Sequence, residues 1–155
     1  MKRTLFLAAT AAMLSLTAIG LASGASSAKG TKLTAALTPA QEVPRQRVRV
    51  ARARGQFEGT LAGAGARRRL QWSLSFKRLS GRPIAAHIHI GKPGQAGAIA
   101  VTLCAGAHPC GIAVGGRVRV SAKVAQAITT GNAYVNVHTK KNPNGEIRGQ
   151  IRIRR

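Results

Sequence analysis

The chain has 155 residues, enough for one domain, and its 25 basic and three acidic residues give a formal net charge of +22 at pH 7. Aromatic residues make up only 3% of the chain, which disfavours a nucleic-acid surface built on base stacking. Asp is absent and no Ser-His-acid order stands out, so we assign no catalytic residue and do not predict an enzyme.

The N-terminus has the order of a secretory signal peptide over residues 1–28. Lys2 and Arg3 form a basic start, an uncharged apolar stretch follows, and small residues then lead to cleavage after Ala25 or Ala28. An uncleaved membrane anchor is the alternative, but the apolar stretch is short for a spanning helix. We therefore expect a secreted, periplasmic or cell-envelope protein with no transmembrane segment after cleavage.

The rest of the chain, with a domain expected over residues 32–153, alternates between apolar and polar positions in short stretches separated by turn signals. The predicted strands are residues 32–37, 55–61, 70–77, 85–90, 98–103 and 117–120 and the two arms of a hairpin over 134–153. Residues 45–54 fit a loop or an edge strand. One helix is predicted over residues 121–130, with Ser121 as its N-cap and Gly131 ending it. Many short strands predict an all-β sandwich or barrel.

The C-terminal hairpin is the starting point of the fold prediction, because apolar and polar residues alternate along both arms around a turn at residues 142–145. One face is aliphatic, with Val135, Val137, Ile147, Ile151 and Ile153. The other face is polar, with Tyr134, Asn136, His138, Glu146, Arg148, Gln150 and Arg152. We expect Val135, Val137, Ile147 and Ile151 of the aliphatic face to pack between two sheets, together with Trp72, Leu74 and Ile88. We expect the polar face to lie in or near solvent, so that truncating Arg148 or Arg152 costs little stability.

Cys104 and Cys110 are the only cysteines, and the turn-like segment between them can close a small loop. An exported chain meets an oxidising compartment, which favours a disulfide between them. A metal pair completed by His108 is the alternative, which export disfavours because it requires free thiolates.

Four segments, in this order, resemble the chordin-type (CHRD) domain. They are LTPAQEVP at residues 37–44, AAHIHIG at 85–91, YVNVHT at 134–139 and NPNGEIRGQ at 142–150. The resemblance spans nearly the whole expected mature chain and implies a secreted bacterial protein with an extracellular, immunoglobulin-like β-sandwich. The role of the animal growth-factor antagonist after which the family is named is not carried over.

A weaker resemblance concerns the histidines. The run from Trp72 into His87-Ile88-His89, and Val137-His138 before a Gly-containing turn, are similar to the copper-ligand regions of Cu/Zn superoxide dismutases. That similarity implies a β-sandwich of the same type, with His87, His89 and His138 as ligands of copper or zinc. The dismutase zinc loop has no counterpart here. The alternative is that the three histidines hydrogen-bond one another and nearby backbone.

Three functions follow from these observations. The first is a non-catalytic binding or structural module outside the cytoplasm, whose extracellular or envelope ligand is unknown. The second is a copper- or zinc-binding protein with a three-histidine site. The third is a polyanion-binding envelope protein, although arginines that alternate with valines at residues 47–50 and 117–120 also fit plain solvated strand faces.

Overall fold

The computed structural model describes residues 30–155, and the predicted signal peptide lies outside the described residues. Within this range the strands are β1 (Thr31–Leu37), β2 (Arg54–Ala62), β3 (Arg69–Lys77), β4 (Pro83–Ile90), β5 (Ala98–Ala105), β6 (Ala113–Arg119), β7 (Ala133–Thr139), β8 (Ile147–Gln150) and β9 (Arg152–Ile153). The helix α1 (Ala122–Thr129) joins β6 to β7, and single 3₁₀ turns occupy Pro39–Gln41 and Gly65–Arg67.

The strands form two antiparallel sheets, as predicted for an all-β sandwich. The five-stranded sheet has the order β6-β3-β2-β1-β9, and the four-stranded sheet has the order β5-β4-β7-β8. Their inner faces build the core. Trp72, Leu74 and Ile88 are buried as predicted, and so are the aliphatic residues Val135, Val137, Ile147 and Ile151 of the hairpin.

The helix begins and ends where the sequence predicts. Ser121 Oγ accepts a hydrogen bond from the Val124 N–H at 3.2 Å, which satisfies one of the free N–H groups of the first turn. Gly131 has a φ of +73°, the left-handed conformation that ends many helices and that favours glycine. Val124 and Ile128 point into the core.

Two strands differ from their predicted form. Strand β6 starts at Ala113 rather than at residue 117. The prediction missed its first half because Gly115 and Gly116 interrupt the alternation of apolar and polar side chains. A side chain at Gly116 would lie 3.3 Å from the Trp72 ring, so glycine lets the edge strand cover that ring closely. The second hairpin arm is not one strand, since β8 pairs with β7 in one sheet and β9 pairs with β1 in the other.

A disulfide joins Cys104 to Cys110 at the end of β5, as predicted, so these thiols do not form a metal pair with His108. In the loop that this bond closes, Ala105 and His108 exchange two backbone hydrogen bonds of 2.9 Å. Within residues 30–155, no helix combines the length and apolarity needed to cross a membrane.

Candidate functional site

The outer face of the four-stranded sheet carries a layer of polar side chains, which we call the polar layer. Strand register places His87 beside Asn136 and Asn136 beside Arg148, and it places His89 beside Tyr134 and Tyr134 beside Gln150. The full set is His87, His89, Tyr134, Asn136, His138, Glu146, Arg148 and Gln150. All of these side chains are buried except His87, which is half-buried.

Two chain segments cover the polar layer. The segment after β1 crosses the hairpin, where the Val48 N–H donates to Asn142 Oδ1 at 2.7 Å. The loop after β4 crosses the other end, where Lys92 O accepts from Arg148 Nη2 at 3.1 Å and Gly91 O accepts from Gln150 Nε2 at 2.9 Å. The prediction that this face lies in or near solvent is therefore wrong. Arg148 is only 1% exposed, although Arg152 in β9 is exposed as expected.

The three predicted metal ligands come together within the polar layer. The structure brings one ring nitrogen from each of His87, His89 and His138 within 4.8 Å of the other two. His87 Nδ1 lies 3.1 Å from His138 Nε2. This convergence depends on the adjacency of β4 and β7, which the sequence alone does not specify. Within the described residues these three form the one cluster suited to a metal ion, and His108 is not part of it.

Backbone carbonyl groups hold two of the three rings. His89 Nδ1 donates to Gly97 O at 2.9 Å, and His138 Nδ1 donates to Pro143 O at 3.0 Å. A carbonyl oxygen can only accept, so both Nδ1 atoms carry the proton and both Nε2 atoms present a lone pair in the neutral ring. His138 Nε2 accepts from His87 Nδ1, whereas His89 Nε2 is buried and has no partner.

Burial keeps the three imidazoles neutral. Burial is also the largest cause that lowers the pKa of His87, to about 4, and the neighbouring His138 and His89 add to it. Burial lowers the pKa of His89 and of His138 as well, more than their carbonyl hydrogen bonds raise it. Neutral rings are the form that coordinates a metal ion.

A stack of three side chains positions His89. The rings of His89 and Tyr134 are parallel within 5°, with centroids 4.9 Å apart, and the Arg148 guanidinium lies 3.5 Å from the Tyr134 ring centroid. Tyr134 also accepts at its hydroxyl from the Gly97 N–H at 3.0 Å. Gly97 therefore ties the covering loop to both rings. A side chain at Gly97 would lie 1.7 Å from Ile90 O, so only glycine fits there.

Two of the three carboxyl groups of the chain are buried in or beside this layer. Burial alone would raise the pKa of Glu146, but hydrogen bonds from Ser80, Thr139 and Asn142 outweigh it and hold that pKa below its ordinary value. Glu42 has a different balance. Burial raises the pKa of Glu42 to about 8, although Arg148 and an Asn136 hydrogen bond lower it.

Sequence reasoning placed Asn136 and Arg148 on the polar face without giving them a part in the site, and it missed Glu42, which contacts this layer through Asn136. One signal was available, because an acidic residue is rare in so basic a chain and two of the three lie in the segments that resemble the CHRD domain. Alternation along the hairpin showed that Asn136 and Arg148 share a face with His138. It could not show that residues about 100 positions earlier in the chain cover that face.

The donor set fits a copper or zinc ion. Three imidazole nitrogens suit both metals, and nitrogen ligands of a tetrahedral zinc ion lie about 3.3 Å apart, close to the separation of 3.1 Å between His87 Nδ1 and His138 Nε2. His87 would bind through Nδ1 as the tautomer that carries its proton on Nε2. The three ligand atoms lie within 4.8 Å of one another, so bringing any pair to about 3.3 Å requires a movement of at most about 1.5 Å. The unpaired His89 Nε2 would gain a partner on binding.

Comparison with known proteins adds the family. The profile of the CHRD domain matches residues 33–151, a range that begins within β1 and includes all of β2 to β8. Neither a curated protein nor a solved structure matches the chain. The matched range includes the four resembling segments and the whole polar layer. From this match over most of its length, the chain belongs to the CHRD domain family.

Proposed function

We propose that this chain is an exported, non-catalytic metal-binding module that holds one copper or zinc ion through His87, His89 and His138. The observation that carries the proposal is the buried His89 Nε2, which has no hydrogen-bond partner, in a ring that brings one nitrogen within 4.8 Å of a nitrogen of each of the other two histidines. A buried acceptor without a partner costs about 1–3 kcal/mol. Coordination would remove that cost.

The ligands are organised as metal ligands usually are. Coordinating histidines commonly donate the other ring N–H to a carbonyl or carboxylate, which fixes the tautomer and the ring orientation. His89 and His138 do so through Gly97 O and Pro143 O. If the three histidines only hydrogen-bonded one another and the backbone, His89 Nε2 would remain unpaired, so that alternative explains less.

Copper(II) is expected to bind more tightly than zinc, because affinity for a given nitrogen site rises to copper in the divalent series. The donor set contains no carboxylate to offset the charge of the ion, and the Arg148 guanidinium lies behind the Tyr134 ring. Affinity must therefore come from the imidazoles. Half-buried His87 leaves the ion accessible from solvent on one side.

Export is part of this proposal. The order of basic, apolar and small residues over residues 1–28 supports it, and so does the Cys104–Cys110 disulfide, since such bonds persist in oxidising compartments. An extracellular β-sandwich module is also what the family resemblance implies.

Metal titration of the exported, metal-free protein tests the site. We expect one Cu(II) per chain, with nitrogen hyperfine structure from imidazoles in the electron paramagnetic resonance spectrum. His87→Ala, His89→Ala and His138→Ala should each abolish stoichiometric binding. His108→Ala is the matched control, because His108 lies in the disulfide loop, and it should bind as the parent does.

Folding must be measured alongside binding. His87→Ala is the most informative variant, because His87 is half-buried. The melting temperature of the metal-free variant should therefore stay close to that of the parent. Undiminished Cu(II) binding by His87→Ala, or equal loss in His108→Ala, would contradict the three-histidine site.

A further inference from the structure

The outer face of the five-stranded sheet is open, and its centre consists of short hydroxyl and amide side chains around one carboxylate. We call the hydroxyl and amide side chains the platform; it comprises Thr34, Gln56, Thr60, Gln71, Ser73 and Ser75. Glu58 lies between Thr34 and Ser73 in the strand register and, among the described residues, is the one acidic side chain on this face. Their outward orientation follows from the alternation of β1, β2 and β3, whose other positions enter the core. Gln56 Nε2 donates to Thr34 Oγ1 at 2.8 Å across two strands, so these groups are neighbours on one surface.

Basic residues flank the platform on the same face, and we call them the basic rim. It comprises Lys32, Arg69, Arg117, Arg119, Arg152 and Arg154. Arg69 lies directly opposite Arg119 in the β3–β6 register, a like-charge pair that destabilises a sheet unless an anion lies between. Lys32 Nζ donates to Thr60 Oγ1 at 3.1 Å and Arg117 Nη2 donates to Gln71 Oε1 at 3.1 Å, so the rim reaches into the platform.

The protein supplies almost no counter-charge to this rim. Glu42 and Glu146 are buried on the other sheet, which leaves Glu58 as the one exposed carboxylate. Within residues 30–155 the one ion pair joins Glu58 to Arg154, at 3.6 Å, and both side chains are more than half exposed. The other rim cations have no carboxylate partner in this range, although Lys32, Arg69 and Arg117 donate hydrogen bonds to neutral oxygens. The protein itself therefore does not balance their charge.

The chemistry of the platform selects among anionic partners. Every aromatic residue in residues 30–155 is buried, so this face has no ring on which a nucleobase could stack. An array of hydroxyl and amide groups instead matches the hydroxyl groups of a sugar chain. Gly115, opposite Ser73, adds no side chain to this face of β6. The surface therefore suits an extended, charged and hydroxylated polymer.

We propose that the platform and basic rim bind a linear acidic polysaccharide, with the arginines on its carboxylate or sulfate groups and the platform on its hydroxyl groups. This interaction is independent of the histidine site, which lies on the other sheet. The proposal also gives a role to the excess positive charge of the chain, which otherwise fits plain solvated strand faces.

Affinity measurements with polygalacturonate oligosaccharides on the exported protein test the proposal. Two triple variants remove equal charge, one on the rim (Arg69→Gln, Arg117→Gln and Arg119→Gln) and one in the exposed loop before β2 (Arg45→Gln, Arg47→Gln and Arg49→Gln). The rim variant should weaken binding about tenfold, and the loop variant less than about twofold.

A third variant separates shape from charge. Ser73→Tyr places a large side chain at the centre of the platform without changing charge, and it should also weaken binding by about tenfold. Neutral dextran should not bind, and single-stranded oligothymidylate of equal charge should bind more weakly than the oligosaccharide. Equal losses in both triple variants, undiminished binding by Ser73→Tyr, or tighter binding of the oligonucleotide would each overturn the proposal.

Discussion

The outer faces of the two sheets carry similar polar residues in opposite surroundings. On the four-stranded sheet, Arg148 lies under the loop after β4 and stacks on Tyr134, with 1% of its surface exposed. On the five-stranded sheet, Arg117 is open to solvent and donates a hydrogen bond to Gln71 Oε1. The same residue type therefore belongs to the packed interior in one sheet and to an open charged surface in the other.

The difference shows that the segment covering a sheet face, rather than the strand itself, determines whether a polar residue becomes part of the packed interior. Under a cover, each polar atom needs a partner, and Glu146 receives bonds from Ser80, Thr139 and Asn142. His89 Nε2 is one of four buried side-chain atoms in residues 30–155 that have no partner, and the proposed metal site rests on it. On the open face, water satisfies the polar atoms and only unbalanced charge marks a binding surface.

Truncation of the two arginines should give the largest contrast. Arg148→Ala removes the contact with Tyr134 and the bond to Lys92 O, and we expect it to lower the free energy of unfolding by about 3 kcal/mol. Arg117→Ala should lower it by less than about 0.5 kcal/mol. Denaturant unfolding measures the free energy of unfolding of both variants. Equal losses in the two would contradict the distinction between the covered and the open face.

The buried Glu146 and the exposed Glu58 should also differ in how much they stabilise the fold. This difference is smaller than that between the arginines, and it depends on pH. Hydrogen bonds hold the pKa of Glu146 below its ordinary value of 4.5. Its stabilisation is therefore complete above that value and is lost as pH falls through the folded-state pKa. Glu146→Gln should cost about 2 kcal/mol at pH 7 and progressively less in acid.

Glu58→Gln is the control for this comparison, because Glu58 is exposed and pairs only with Arg154. Unfolding curves from pH 7 down to pH 3 should show Glu58→Gln running parallel to the parent, whereas the Glu146→Gln curve approaches it. A constant gap between parent and Glu146→Gln over this range would contradict the assigned charge state.

The smallest effect should have the opposite sign. Arg119 faces Arg69 across β3 and β6, so Arg119→Gln relieves a like-charge contact. We expect it to raise the free energy of unfolding by about 0.5 kcal/mol at low salt, with the gain vanishing at high salt. A loss of stability at low salt would show that the open arginines support the fold rather than serve a partner.

Much of the fold could be predicted because it depends on local pattern. Alternation in β3 and in the hairpin showed which residues enter the core, and cap chemistry located α1 between Ser121 and Gly131. The short separation of Cys104 and Cys110 made their bond predictable. Gly115 and Gly116 defeated the pattern in β6, since glycine carries no hydrophobic signal even where the Trp72 ring requires it.

The candidate site could be predicted in part. His87 and His89 lie two residues apart on one strand, so both side chains lie on the same face. By the same alternation, His138 and Asn136 share the polar face of the hairpin. Their meeting required β4 to pair with β7, a contact between residues about 50 positions apart. No local pattern encodes that pairing, so only the resemblance to dismutases suggested it.

The sequence by itself determined which residues share a face, where the helix is capped, which cysteines pair and how basic the chain is, because each property is local or compositional. Only the tertiary structure decided which polar face is covered, how β8 and β9 divide between the two sheets, and which arginine becomes part of the interior. These features depend on contacts between distant segments, such as Val48 with Asn142 and Lys92 with Arg148. Alternation with period two specifies two faces of a strand but not what lies above each of them.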